Sequence, residues 1–366
     1  MMKYVVLFFR MLVGALFIFS GFIKANDPLG FSYKLNEYFE VFSMPWASHF
    51  SVVLAIGICW LEVLLGFFIL LGFYRLLTLW TISILMVFFT FLTFYSAYYN
   101  KVTSCGCFGD AIKLTPWQSF SKDVALDAFI LLLVIGRKYF TSLFSAAQTL
   151  WVTTVLGLFI LTFPLYTYAY LPVIDFRPYK VGSNWYVASP EHIRQKFFYT
   201  MRHAVSGKVQ EFDKYPTDTA WHYVSNRTEP MNKSIKPIEH FEMQDAYGVD
   251  KRDSLITMHR PTLFVVAYDL SSTNREAWHK LEHLVKEFAV KNISVVALTS
   301  SSPASIAAFK KESLTSVPIY QSPDDVPLKA MIRSNPGLIL MQDSVVRGMW
   351  PCLRLPSVDD LTGIAP

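Results

Sequence analysis

Five apolar stretches punctuate the first half of the chain, at residues 4–23, 50–73, 76–97, 120–136 and 149–171. A bilayer's hydrocarbon core takes about 20 helical residues, so each predicts a membrane-spanning helix. The fourth is the most polar, with Lys122, Asp123 and Asp127 in its opening turns, and only from Ala128 is it apolar throughout. Aromatic residues gather at the ends of these stretches, among them Trp46, Tyr98, Trp117, Trp151 and Tyr170, as interfacial belts do. Beyond residue 172 the texture turns polar. Segment 173–260 is rich in turn residues and predicts short β elements. From Pro261 buried strands at 262–270 and 293–299 and a short strand at 317–322 alternate with helices at 274–291, 303–312 and 325–334. A hairpin over 337–350, turning at Gln342-Asp343-Ser344, closes the series. Such alternation predicts an α/β domain with a mixed sheet.

The fold class expected is therefore a membrane α-helical bundle of about five transmembrane helices followed by a soluble α/β domain. Four regions follow: a bundle over 1–140, a fifth helix and link over 141–172, a β-rich link over 173–260, and the α/β domain over 261–366. Composition agrees, since 53% hydrophobic residues among 366 is too apolar for one soluble domain. The net charge of +5 is spread along the chain, without the basic stripe that nucleic-acid binding needs. The N-terminal apolar run lacks a small-x-small cleavage site and reads as a retained helix. The link between the second and third spans carries Arg75, and that between the fourth and fifth carries Arg137 and Lys138, with no acid in either. The positive-inside rule places both in the cytoplasm. The N-terminus is then cytoplasmic, and loops 24–49 and 98–119 and everything after about 172 lie outside. In a bacterium this is an inner-membrane protein with its tail in the periplasm.

Four cysteines are present, Cys59, Cys105, Cys107 and Cys352, and no C-x-x-C of zinc spacing. Cys105-Gly-Cys107 stands in an outer loop. Two thiols one residue apart in an oxidising compartment suit disulfide exchange, because a ring so small is strained and labile. A static pair, or bonds to other cysteines, is the structural alternative. Glu62 sits mid-span with Cys59 almost one turn before it. A carboxyl in hydrocarbon needs a partner or a proton, and Arg10 in the first span is the expected partner. The two form either a proton or quinone site or a polar clasp between helices. No other cofactor is evident, although a quinone would suit such a place. His279 and His283 lie four apart beside Glu282 without a third ligand, so no metal site is expected.

Particular segments carry resemblances. The strand–helix order from 262 to 350 resembles the thioredoxin-like fold. Asn335-Pro336-Gly337 stands where that fold carries its cis-proline loop, which implies a docking role for Asn335 and Pro336. The stretch Asp269-Leu-Ser-Ser-Thr-Asn274 occupies the place of the redox C-x-x-C and has no cysteine. The domain cannot run dithiol exchange, and Ser271, Ser272 and Thr273 are expected to cap the following helix. SGFIKANDPLGF (20–31) and LEVLLGFFILLGFYR (61–75) look like DoxX-type membrane proteins. CGCFGD (105–110) with Trp117 and Lys122-Asp123 looks like the MauE branch of that superfamily, whose methylamine-utilisation protein is implicated in disulfide formation in its partner enzyme. LPVIDFRPYKVGSN (171–184) and LKAMIRSNPGL (328–338) are similar to Bacteroidetes-type DoxX proteins with a fused thioredoxin-like tail. The resemblance implies a membrane factor assisting thiol–disulfide chemistry or maturation of periplasmic partners, with Cys105 and Cys107 as the redox pair and the tail as a docking domain. A non-enzymatic assembly adaptor and a small-molecule or lipid carrier are the other two readings. The partners expected are the bilayer and periplasmic proteins.

Overall fold

A computed structural model describes residues 2–99, 101–102, 106–186, 195–204, 207–212, 216, 218, 220–230 and 241–364. The chain divides into two compact units, Met1–Arg177 and Pro178–Pro366.

The first unit is helical: α1 Met2–Asn26, α2 Pro28–Val41, α3 Ser51–Leu71, α4 Arg75–Tyr99, α5 Pro116–Ile135 and α6 Ala146–Ala169. Local sequence sets the boundaries. The Asp27 carboxylate accepts the Gly30 N–H at 2.8 Å, and Pro28 opens α2. Thr115 with Gln118, and Ser145 with Gln148, form capping boxes on α5 and α6. Gly72, at φ 79°, ends α3. Among the described residues, four helices are long and apolar enough to cross a membrane: α1, α3 with the 3-10 turn before it, α4 and α6. The remaining expected span, 120–136, does not meet that measure. Helix α5 forms, but Lys122, Asp123 and Asp127 make it too polar to qualify by composition. It nonetheless lies in the bundle core, where Leu126, Ile130 and Leu133 pack with Val13, Phe17, Ile82 and Met86. At 20 residues it is about 30 Å long. Its exposed partners in the bundle, such as Ile84, Phe88, Leu158 and Phe159, form the outer apolar surface that lipid covers.

Two glycine contacts set the spacing of the antiparallel pair α1 and α3. A Cβ on Gly66 would come within 2.8 Å of the Gly14 carbonyl oxygen, and one on Gly21 within 2.9 Å of the Val63 nitrogen. In lipid, where apolar helices gain nothing from leaving water, small residues that let backbones touch hold helices together. The loop expected over 24–49 is largely helical, since α1 runs on to Asn26 and α2 follows at once.

In the second unit, β1 Gln195–His203, β2 Val209–Phe212 and β3 Trp221–Pro230 form an antiparallel sheet in the order β2-β1-β3. After α7 Arg252–Ile256 come β4 Thr262–Val266, α8 Arg275–Val290, β5 Ser294–Thr299, α9 Pro303–Ser313, β6 Ile319–Gln321, α10 Asp325–Met331, β7 Gly337–Gln342, β8 Val345–Pro351 and α11 Val358–Ile364. The second sheet runs β6-β5-β4-β7-β8; β4 and β5 are parallel, as are β5 and β6, while β7 is antiparallel to β4 and β8. All of β4 is buried, which explains its unbroken apolar run. The hairpin turns at Asp343 and Ser344, both at positive φ, as a two-residue turn of this hand requires. Helix α10 stops at Met331, three residues short of the expected end, because Ile332 is extended and leads into the loop before Pro336. The Asn335–Pro336 peptide is cis.

Candidate functional site

A buried ion pair lies where α1 and α3 touch. Lys24 Nζ donates to both carboxylate oxygens of Glu62, at 2.6 and 2.8 Å, with both side chains buried. Ser20, one turn before Lys24 on the same face, ties the pair to the cysteine loop. Its hydroxyl lies 3.1 Å from Lys24 Nζ, 3.3 Å from Glu62 Oε2 and 3.1 Å from the Cys107 carbonyl oxygen. The rings of Phe31 and Phe89 stand 5.4 and 5.1 Å from the ammonium and complete its surroundings.

The expected pairing of Glu62 with Arg10 is corrected by the antiparallel register. Glu62 stands opposite Gly21, whereas Arg10 lies three to four turns nearer the N-terminus, past Gly14, which stands opposite Gly66 and Leu70. Arg10 instead donates to the carbonyls of Ile69 and Leu70 at 3.1 Å each, and its guanidinium covers the Phe140 ring at 4.4 Å. It caps the end of α3, where orphan carbonyls and the helix dipole favour a cation. The sequence pattern does not single out Lys24, which stands just past the apolar run of the first span. The signal available was its spacing from Ser20, four residues apart at the end of an apolar run.

Cys107 lines a cavity with Ser20, Lys24, Glu62, Phe108, Lys122 and Asp123, apolar side chains from α1, α4 and α5 completing the wall. The space amounts to about 40 Å³, enough for a few waters. Cys105 lies outside the described residues. Cys59 is fully buried one turn before Glu62, packed with Ala25, Phe31 and Leu35. The C-terminal end of α1, the cysteine loop and the segment after α6 share one end of the bundle: Ser20 reaches Cys107, and Asn26 exchanges hydrogen bonds with Ile174. The opposite end gathers Arg10, Gly72, Gly136 and Thr141.

In the second unit Asn335 stitches the loop before Pro336 to the loop after β4. Its Nδ2 donates to the Asp269 carbonyl at 2.8 Å and to the Ser272 hydroxyl at 3.1 Å, and its Oδ1 accepts from Thr273 at 2.9 Å. The expectation that Ser271, Ser272 and Thr273 cap α8 is corrected: Asn274 is the N-cap and accepts the Ala277 N–H. The serines turn back to the Asp269 carboxylate instead, at 2.7 to 2.9 Å. Partial burial pushes that carboxyl up, but these hydroxyls, the Ser271 N–H and Lys329 outweigh it and hold it below its ordinary value. A carboxyl depressed on folding stabilises above its unfolded pKa of about 3.9 and loses that contribution as pH falls through the folded value. Asp269→Asn should therefore lower the tail's stability at neutral pH and flatten the acid limb of its unfolding profile, read by tryptophan fluorescence in the full chain, so that the two proteins converge at low pH. Cys352 lies beside the same loop, its N–H donating to Ser334 Oγ at 2.9 Å. Glu282, between His279 and His283, is engaged by Thr315 and Ser316.

No curated protein matches the chain, and no solved structure does. The model of one family, described as Methylamine utilisation protein MauE, matches residues 2–140. That span takes in α1 to α5, the Lys24–Glu62 pair and the cysteine loop, so the chain carries, in its first part, a multi-pass membrane bundle similar to the MauE family.

Proposed function

We propose that this protein is a membrane factor for thiol–disulfide exchange that assists the maturation of methylamine-utilisation-type or other partners on the outer face of a bacterial inner membrane. The observation that carries the reading is the placement of Cys107 on a cavity shared with the buried Lys24–Glu62 pair. The thiolate is the nucleophile in disulfide exchange, and an ammonium beside it favours that form. Glu62 balances Lys24 so that the cation survives burial, and Ser20 fixes the loop against both. Cys105 then serves as the second sulfur of the exchange. The likeness to MauE supports the membrane setting. The length of α5 and its place in the core support five crossings, with the N-terminus in the cytoplasm and the tail in the periplasm.

The tail is, in this reading, a thioredoxin-like docking domain without redox chemistry of its own. Its sheet order, β6-β5-β4-β7-β8, and the hydrogen bonds of Asn335 to the loop after β4 support the fold. That loop holds Asp269, Ser271 and Ser272 in place of cysteines. A second reading, a non-enzymatic assembly adaptor, draws on the same substitution.

The test is to trap partners in cells. Cys107→Ser, leaving Cys105, or Cys105→Ser, leaving Cys107, should accumulate mixed disulfides with outer-face proteins, seen as reducible high-mass bands. The double variant should trap none. Full complementation of a deletion strain by the double variant would replace this reading with the adaptor.

A further inference from the structure

The end of the bundle opposite the cysteine loop carries cations without acids. It is built from the start of α1, the corner between α3 and α4, and the link from α5 to α6. Arg75 opens α4, and Arg137 and Lys138 follow α5; all three are exposed. Arg75 Nη1 donates to the Arg137 carbonyl at 3.4 Å, which brings the start of α4 against the link that carries the other two. Lys138 Nζ lies 5.1 Å from the ring of its neighbour Tyr139. Val6 packs on Gly136, so Lys3, about one turn earlier on α1, stands at the same end. Arg10 is already engaged by the carbonyls of Ile69 and Leu70. No aspartate or glutamate occurs in residues 1–26, 63–109 or 128–174, the stretches that supply this end. At the cysteine end charges are matched instead: Lys24 with Glu62, Lys34 with Glu37, Lys122 with Asp123 and Arg177 with Asp175.

An apolar strip leads up to these cations. Helices α4 and α5 run antiparallel, because Thr90 meets Asp127 while Arg75 meets the link just past Ile135. The two turns of each helix nearest that end leave Leu76, Trp80, Leu131 and Ile135 exposed. A phospholipid has the complementary outline, acyl chains below a phosphate. We infer that Arg75, Arg137 and Lys138 hold the headgroup of an anionic phospholipid, whose acyl chains lie along α4 and α5.

Charge and shape choose the ligand. Three exposed cations with no acid near them in the chain leave a surplus that an anion answers. An arginine fork matches two phosphate oxygens, and a lysine adds charge without fixing direction. Basic clusters between transmembrane helices bind anionic headgroups for this reason. Phosphatidylcholine is less suited, because its own quaternary ammonium cancels the charge of its phosphate. Free phosphate is less suited, because it has no chains to cover α4 and α5. The bias of Lys and Arg towards one side of a membrane orients a protein, but it does not require them to meet between two helices. In the topology proposed above, the lipid belongs to the cytoplasmic leaflet. The site stands at the far end from Cys107 and is independent of its chemistry.

The experiment titrates the full chain in neutral detergent with phosphatidylglycerol and counts bound lipid by native mass spectrometry. Phosphatidylglycerol should bind saturably, and phosphatidylcholine of the same chain length about tenfold more weakly or worse. A basic residue at an anionic membrane surface strengthens attraction about fivefold, so Arg75→Gln, Arg137→Gln and Lys138→Gln together should weaken phosphatidylglycerol about a hundredfold. Lys101→Gln, Lys113→Gln and Lys286→Gln together remove as much charge from exposed places elsewhere and should change little. Equal binding of the two lipids, a first triple variant without effect, or a control variant that weakens binding as much would each overturn the inference. Inorganic phosphate in excess should leave phosphatidylglycerol in place; if it displaces the lipid, free phosphate is the ligand and the inference falls. If the first triple variant fails to fold, salt decides on the unchanged chain. Raising ammonium acetate from about 0.05 to about 0.5 M should weaken phosphatidylglycerol about tenfold and leave phosphatidylcholine unchanged. An affinity indifferent to salt would overturn the inference.

Discussion

Lys24→Met should destabilise the bundle by about 3–5 kcal/mol, the cost of leaving one member of a buried ion pair without the other. Methionine keeps the length of the side chain and its packing against Phe31 and Phe89, so the charge is the main thing lost. Glu62 would remain on α3, nearly inaccessible, with the Ser20 hydroxyl as its donor among the described residues. At about 2–4 °C per kcal/mol for a unit of this size, the apparent melting temperature in detergent should fall by about 10 °C. The double variant Lys24→Met with Glu62→Gln should recover most of the loss, since it removes both charges together. Unchanged melting in the single variant would mean that Glu62 finds another partner or carries a proton. Arg10→Met should behave differently. It strips carbonyls at the end of α3 of their donors and breaks no ion pair, so Glu62→Gln should not rescue it.

Gly66→Leu should separate α1 from α3. A Cβ there would meet the Gly14 carbonyl oxygen at 2.8 Å, the Ile18 nitrogen at 2.9 Å and Ile18 Cγ1 at 2.7 Å. Two of these are backbone atoms, which cannot rotate away, and leucine adds three more carbons beyond the Cβ. Overpacking usually costs about 1–3 kcal/mol, and this site should reach or exceed the upper end. Gly57 on the same helix is the control. A Cβ at Gly57 meets nothing within 4 Å, so Gly57→Leu should leave melting nearly unchanged. The two substitutions are chemically identical and both lie on α3. A thermal-shift measurement in which they behave alike would refute the close helix contact. Loss of that contact should also lower the yield of mixed disulfides on Cys107, because Lys24 on α1 meets Glu62 on α3 only while the two helices touch.

Some of this organisation is legible from residues one at a time. Apolar runs of bilayer length bring out α1, α3, α4 and α6, since hydrocarbon demands them whatever their neighbours. Short unbroken apolar runs bring out β4 and β5, and helical periodicity brings out α8 and α9. The Asp343-Ser344 turn, with Pro336 shortly before its hairpin, is likewise written locally, because turn geometry depends on a few adjacent residues. Cys107 and Glu62 announce themselves by chemistry that is costly or reactive where the pattern puts them. What the sequence could not decide is which charge Glu62 meets. Arg10 and Lys24 lie on one helix, and choosing between them depends on how α1 slides along α3. That register is set by the glycines at 14, 21 and 66, through contacts between residues about 40 to 55 positions apart. The loop then lays the Cys107 carbonyl against Ser20, and α5 brings Asp123 to the same cavity. Its carboxyl, in sequence only a mark against a weak span, becomes a buried group with one oxygen unpartnered among the described residues because three helices and a loop close around it.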